Sequence, residues 1–330
     1  MEIKLFNSLS NQIETFVPLE EGKVSMYVCG PTVYDYVHIG NMRPVVVFDT
    51  LRRFLSYVGY EVTYVSNYTD VDDKIILKAQ KTGKTEKEIT DFYIGEFEKD
   101  VRLIHSKLPN ITPRVTEYMP QIISFIDELV KKDAAYIVDD DVYFKVSADP
   151  KYGVLSNTNT EDLLVGARID ENMKKQSPLD FTLWKKTEVG VKWNSPWSEG
   201  RPGWHTECVV MIQSLFKNGR IDIHGGGFDL KFPHHENEIA QSMVSKGHAI
   251  ANYWMHNGFI NINSEKMSKS LGNVITAHDA LTKYGGNTVR LLLLSTHYRA
   301  PVNFADDMLQ NNEKEIQKYY IKKAKRCNHP

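Results

Sequence analysis

The residues best equipped for chemistry are Cys29, Cys208, His234 and Glu238, scattered through a chain of 330 residues with only three cysteines. His234 and Glu238 stand four apart in PHHENEIA, which puts them on one helix face, one turn apart, a spacing that presents two ligands to one ion. With the thiols of Cys29 and Cys208 they make a donor set that zinc accepts. His235 and Glu236 are rival ligands on the same segment. On spacing alone, two distant cysteines are more commonly small buried hydrophobes, and a His/Glu helix a polar face.

A second set suits phosphate. In MYVCGPTVYDYVHIGNMRP, Met26 to Pro44, Gly30 and Pro31 make a tight turn after Cys29, and Gly40 lets a backbone approach where a helix begins. A helix N-terminus offers unpaired N–H groups to an anion, and His38 at that junction is placed to donate to phosphate oxygens as charge develops on them. Far downstream, NSEKMSKSLGN sets Lys266 and Lys269 on a Ser/Gly-rich loop, two point charges able to close over a triphosphate. In isolation each segment reads equally as a local cap or as solvated surface. Three glycines in IHGGGFDL allow close approach of a flat or phosphorylated ligand, with Asp229 placed to accept from ribose hydroxyls; a plain turn explains the glycines as well. Thr69, Asp70, Asp72 and Asp73 in NYTDVDDKI are available to a substrate ammonium, although helix N-capping accounts for most of that pattern.

The elements that must position these groups read as a parallel α/β sheet. Val24 to Cys29 is a buried strand, Met42 to Tyr57 a helix and Glu61 to Ser66 a second strand, an order that gathers ligands at the carboxyl ends of strands. Helices follow to Pro109 and over Thr116 to Lys132, then a hairpin in AAYIVDDDVYFKV. Ser147 to Gly203 reads as loop-rich with little periodicity, an insertion between two halves of the sheet. The second half is a helix at Trp204 to Phe216, a strand at Ile221 to His224, a helix at His234 to Lys246 and a strand at Tyr253 to Ile260; Ala277 to Arg326 is helical in pattern.

Composition narrows the class. With 42% hydrophobic and 25% charged residues the chain is ordinary globular material, and three cysteines exclude a disulfide framework. A net charge of −2 carries no global nucleic-acid signature, so an RNA partner must rest on local features. No stretch of eighteen apolar residues and no leader pattern occurs, and the expectation is a cytoplasmic monomer with no membrane partner.

HIGN, His38 to Asn41, with KMSKS, Lys266 to Ser270, resembles the paired signature of the class I aminoacyl-tRNA synthetases, with Asn41 where a histidine is frequent in that class. CGPTVYDYVHIGN, NYTDVDDKI, RPGWHTEC, IHGGGFDL and FPHHENEIAQS, in this order, resemble the cysteinyl family of that class, and the likeness runs to HYRAPVNF. It implies a Rossmann-like parallel sheet split by a connective insertion and followed by a helical stem-contact region. The implied division is 1–115 and 204–262 for the two halves of the catalytic domain, 116–203 for the insertion, 263–304 for the KMSKS loop and stem-contact region, and 305–330 for the start of a C-terminal helical region.

Residue by residue, the resemblance implies one Zn2+ held by Cys29, Cys208, His234 and Glu238, with His38 and Lys269 on the phosphates of ATP and Trp204 beside the amino acid. With the residue reading above, the expected ATP contacts are Gly30, His38, Gly40, Asn41, Asp229 and Lys269, with Mg2+ on the nucleotide. Catalysis falls to His38, Lys266 and Lys269, and the amino acid is met by Cys29, Thr69 and Trp204. The implied reaction is activation of L-cysteine to cysteinyl-adenylate and transfer to the acceptor end of tRNA(Cys), the substrate thiolate joining zinc as a fifth ligand or displacing a weak one such as Glu238. A cysteine ligase of the mycothiol pathway, which passes activated cysteine to an amino sugar, is the alternative. The family's helical bundle and anticodon module lie beyond the matched residues, so the expectation is good adenylate synthesis with weak, anticodon-insensitive charging through basic residues such as Lys318 and Lys322.

Overall fold

The computed structural model describes residues 2–158, 174–267 and 272–327. It opens on a hairpin, β1 (Lys4–Asn7) with β2 (Gln12–Thr15), which the sequence reading did not identify. The strand, helix, strand unit follows as expected: β3 (Lys23–Val28), α1 (Ile39–Tyr57) and β4 (Glu61–Ser66). The helix starts three residues before its apolar periodicity does. Ile39, Gly40 and Asn41 therefore form its first turn and His38 its N-cap residue.

Two helices come next, α2 (Asp73–Thr82), capped by the Asp72 side chain on the Lys74 N–H, and α3 (Glu86–Leu103), closed by a reciprocal Thr85/Glu88 capping box. After α4 (Met119–Lys131) the predicted hairpin forms from β5 (Ala135–Val138) and β6 (Asp141–Phe144), with Asp139 and Asp140 at positive φ in its turn. The loop-rich expectation for Ser147 to Gly203 needs correction. β7 (Phe181–Lys186), β8 (Trp193–Asn194) and β9 (Glu199–Pro202) complete an antiparallel sheet in the order β5-β6-β7-β9-β8. β8, only Trp193 and Asn194, is too short to show a period. Glu-Gly-Arg-Pro becomes a strand because Gly200 lets it close on the Lys185 carbonyl, which a Cβ would approach to 2.2 Å.

The chain then returns through α5 (Trp204–Leu215) to β10 (Ile221–Gly227), α6 (Glu236–Lys246) and β11 (Ala251–Asn257). All four strands of the main sheet are parallel, in the order β11-β10-β3-β4, so segments before and after the second sheet share one layer. The strand expected over Tyr253 to Ile260 is two strands: after β11 the chain breaks at Gly258, packed under the Ala300 carbonyl, and resumes as β12 (Ile260–Ile262). β13 (Glu265–Lys266), α7 (Ala277–Tyr284), α8 (Gly286–Leu293), β14 (Val302–Phe304) and α9 (Asp306–Cys327) complete the chain. β14 interrupts the helical region the periodicity predicted, because Val302 and Phe304 bury beside Ile260 and Ile262 in a parallel pairing with β12.

Three apolar layers hold the elements that carry the site. One lies between α1 and the sheet (Met26, Val28, Phe48, Leu55, Ile223, Met255). A second joins α5, α6 and the antiparallel sheet (Trp184, Cys208, Val209, Ile239, Trp254). The third packs the other face of α1 on β12, β14 and α8 (Ile39, Met42, Val46, Ile260, Val289, Phe304). Arg43 of α1 is fully buried at that last seam, its guanidinium donating to the carbonyls of Phe259 and His297 and to Thr296 Oγ1. It ties the helix that begins at His38 to the strand that leads toward KMSKS.

Gly225 is a packing glycine: a Cβ there would come within 2.2 Å of the Phe48 ring. Gly225→Ala is expected to destabilise the protein by about 1–3 kcal/mol through overpacking, measured by urea unfolding, with Phe48→Leu recovering part of the loss. Additive effects of the two changes would show that the contact is not the cause.

Candidate metal centre and active site

The four predicted donors converge. Cys29 follows the carboxyl end of β3, Cys208 lies on α5, His234 in the turn entering α6 and Glu238 on α6 itself. Cys29 Sγ is 3.6 Å from Cys208 Sγ and 3.6 Å from Glu238 Oε1; Cys208 Sγ is 3.8 Å from His234 Nε2, which is 3.0 Å from Glu238 Oε1. A tetrahedron around zinc has edges of about 3.8 Å between two thiolates and about 3.3 Å between nitrogen and oxygen. The observed edges match within a few tenths of an ångström, so these residues fit the ion.

A competing set, Cys29, His224, His235 and Glu238, is also close together. Its His224 Nε2 to Glu238 Oε2 separation of 2.6 Å is a hydrogen bond, too short for an edge between two ligands of one ion. His224 therefore orients the carboxylate whose other oxygen faces the donor set. His235, 3.4 Å from Cys29 Sγ, hands its Nδ1 to His256, which in turn meets Ser8. His234 is held likewise, its Nδ1 3.0 Å from His205 Nδ1 and its ring stacked on Trp204 at 4.3 Å. Such outer partners fix ring orientation and ligand basicity.

The electrostatics are those of a site short of positive charge. Burial and the neighbouring Cys208 push the Cys29 thiol well up, while the hydrogen bond from Cys29, helped by His234, brings Cys208 down to about 6. Burial opposes charge on both His234 and Glu238. Even so, hydrogen bonds to Cys208 and Glu238 raise His234 to about 10, and His224 with His234 holds Glu238 well below the usual carboxylate range. Two thiols and a carboxylate compete for one imidazolium, a conflict that a dication removes.

The phosphate elements also meet, by a route the sequence did not display. Gly40 makes room for the His38 ring and for Met267, which a Cβ would approach to 2.8 and 3.0 Å. Backbone bonds from Ile39 N to Ile275 O and from Ala277 N to Val37 O clamp the segment after KMSKS onto the HIGN turn. One consequence is a correction. The N–H groups of Ile39 and Asn41 are already spent on Ile275 and His38, so the helix terminus offers an anion less than a bare N-terminus would, and the His38 imidazole carries more of that task.

Gly30 serves close approach, since a Cβ would lie 1.6 Å from the Asn67 carbonyl; its N–H donates to Asn67 Oδ1 at 3.0 Å. Thr69 is buried, its hydroxyl between Asn67 and Glu207, whereas Trp204 is 45% exposed and stacks on His234. Asp229 is exposed in a short turn after β10. Two of the glycines before it make room for packing: Gly225 admits Phe48, and Gly226 admits Leu230 and the His235 ring. Lys266 is placed by its pairing with Asn261, and Lys269 lies outside the described residues. His224, His205, His256, Asn67 and Glu207 were missed from sequence. His224 and His256 show only as polar residues ending largely apolar strand runs, and Asn67, His205 and Glu207 stand among other polar residues with no period to mark them as buried.

The profile of the family described as tRNA synthetases class I (C) catalytic domain matches residues 15–314. The cysteine–tRNA ligase of Caldicellulosiruptor saccharolyticus is 52% identical over 96% of this chain and 68% of its own length; that of Acholeplasma laidlawii is 53% identical over 96% and 73%. Among solved structures, methionyl-tRNA synthetase of Mycobacterium tuberculosis in complex with methionyl-adenylate superposes with a TM-score of 0.69 over 88% of this chain and 67% of that one, at 13% identity, a likeness of fold. Neighbouring donors on a sheet of this topology, the HIGN turn bonded to the segment that follows KMSKS, and relatives of this similarity lead to one assignment: the chain belongs to the cysteinyl family of class I tRNA synthetases.

Proposed function

We propose that this protein activates L-cysteine with ATP and transfers the cysteinyl group to the 3′ end of tRNA(Cys), acting as a monomer. The observation that carries the reading is the tetrahedral spacing of Cys29, Cys208, His234 and Glu238, with Cys29 on the same strand-to-helix connection as His38. These four would hold zinc, which when bound supplies a Lewis acid that takes a thiol as its thiolate. Trp204 and Thr69 would flank the amino acid above it.

Because Cys29 and His38 belong to one strand-to-helix connection, sulfur recognition and phosphate binding are set at a fixed separation, and such alignment removes a large part of the barrier. In the first step a carboxylate oxygen of cysteine bonds to the α-phosphorus of ATP as the bond to pyrophosphate breaks. His38, Lys266 and Lys269 meet the charge that grows on the phosphates, with Mg2+ entering on the nucleotide. Gly40 and Asn41 shape the phosphate-side turn, and Asp229 is the candidate for the ribose. In the second step a terminal ribose hydroxyl of tRNA attacks the cysteinyl carbonyl and AMP leaves. We divide the chain functionally at 1–115, 116–203, 204–262, 263–304 and 305–330, the second part being the connective insertion. The relatives at 52–53% identity bear the tRNA-ligase name, so an amino-sugar acceptor is set aside.

The test is cysteine-dependent ATP–pyrophosphate exchange followed by charging of tRNA(Cys) with labelled cysteine. His38→Ala is expected to lower the exchange rate about a hundredfold with cysteine affinity within about threefold of wild type, because its contacts strengthen at the transition state. Exchange absent from the zinc-loaded wild type overturns the proposal; an unchanged rate in the variant overturns the role given to His38.

No helix among the described residues is long and apolar enough to cross a membrane.

A further inference from the structure

Glu207 is a carboxyl group to which the reaction above assigns no task. It is 1% exposed, one residue before Cys208, on a stretch of α5 otherwise filled by Val209, Val210 and Met211. A polar group buried there without partners costs a few kcal/mol, so what it holds matters. It accepts the Thr69 hydroxyl, Thr69 Oγ1 to Glu207 Oε2 at 3.3 Å. Thr69 Oγ1 in turn accepts from Asn67 Nδ2 at 3.3 Å, and Asn67 Oδ1 accepts from the Gly30 N–H at 3.0 Å. Asn67 and Thr69 are as buried as Glu207. The chain Gly30, Asn67, Thr69, Glu207 thus starts one residue after Cys29 and ends one residue before Cys208, bracketing the metal donors.

The chemistry of the substrate makes that placement informative. In cysteine the ammonium nitrogen is three bonds from the sulfur, so whatever reads the ammonium must lie a few ångström from whatever holds the thiolate. An ammonium offers N–H donors and no lone pair, and therefore needs acceptors. A free threonine hydroxyl can turn its proton toward an ammonium and repel it. A hydroxyl whose proton is committed elsewhere, with one lone pair already filled by Asn67, presents a single lone pair of fixed direction.

We propose that Glu207 is a positioning residue for the substrate ammonium: by taking the Thr69 proton it makes that hydroxyl an obligate acceptor for an N–H of bound cysteine. The inference rests on the cysteine-activation reading. A carboxylate, the carbonyl oxygen of a neutral carboxyl and the carbonyl oxygen of an amide all accept that proton, whereas a hydrocarbon of similar size does not.

The experiment compares binding of L-cysteine and of 3-mercaptopropionate, which keeps thiol and carboxylate but lacks the amine, to zinc-loaded protein by calorimetry. Wild type is expected to prefer cysteine by about a hundredfold. Glu207→Leu reduces that preference at least about tenfold by weakening cysteine alone, and Glu207→Gln retains it. Should the leucine variant not fold, Glu207→Asp, which withdraws the oxygen by one methylene, and Thr69→Val carry the same expectation. The double change Thr69→Val with Glu207→Asp is no worse than the worse single one. Equal weakening of both ligands, no rescue by glutamine, or additive losses overturn the role of Glu207. A wild type that binds cysteine no better than serine overturns the activation reading beneath it, an outcome visible before any variant is made.

Discussion

Cys208→Ala is expected to lose its zinc and at least about a thousandfold of cysteine-dependent exchange, more than the about 10–100-fold in metal affinity that follows loss of an outer partner such as His205. Cys208 provides the 3.6 and 3.8 Å edges to Cys29 and His234, so its removal opens the donor set between α5 and the strand end. Metal analysis of purified variants measures the first effect and exchange kinetics the second. The variant removes one sulfur from a layer that Val209, Val210 and Met211 continue to fill, so it should remain folded and distinguish metal loss from collapse. Stoichiometric zinc in Cys208→Ala would contradict the ligand assignment, as would full exchange in protein stripped by a chelator.

Cysteine is expected to exceed serine by about four orders of magnitude in kcat/KM for exchange, equivalent to about 5 kcal/mol. The difference originates in the donor set. A thiol ionises readily beside a dication, whereas an alcohol holds its proton and is the poorer ligand for zinc. Size alone cannot supply the discrimination, because serine is the smaller molecule and a pocket that admits cysteine admits it. The measurement is exchange with each amino acid at matched zinc loading. A cysteine-to-serine ratio near ten would mean that the pocket walls, Trp204 among them, carry selection and that the metal is structural.

The local part of this protein was legible in its sequence because backbone geometry writes it at short range. The limits of β4 coincide with the β-rich run Glu61 to Ser66, and the four-residue spacing of His234 and Glu238 became a 3.0 Å contact. The HIGN and KMSKS residues and the parallel α/β order were readable from short segments, whereas the four donors were singled out from their rivals His235 and Glu236 only by resemblance to a family. Strands too short to express a period were not readable. β8 and β14 exist because a neighbouring strand offers hydrogen bonds and a buried face, information held elsewhere in the chain.

What only the tertiary structure decided was which polar groups share a place and in which orientation. Cys29 and Cys208 are 179 residues apart, and nothing in their own neighbourhoods states that parallel pairing of β3 with β10 and packing of α5 on α6 bring their sulfurs within 3.6 Å. His234 and His235 are adjacent and equally buried; the kink entering α6 turns one toward Cys208 and the other toward His256. Arg43, expected on composition to seek water, is buried because the carbonyls of Phe259 and His297 arrive from the far end of the chain to receive it. Periodicity records which side of an element is covered, since that depends on successive residues. Partnership among buried polar groups depends on how distant apolar faces close over one another, and that closure fixes the distances at which these donors can hold an ion.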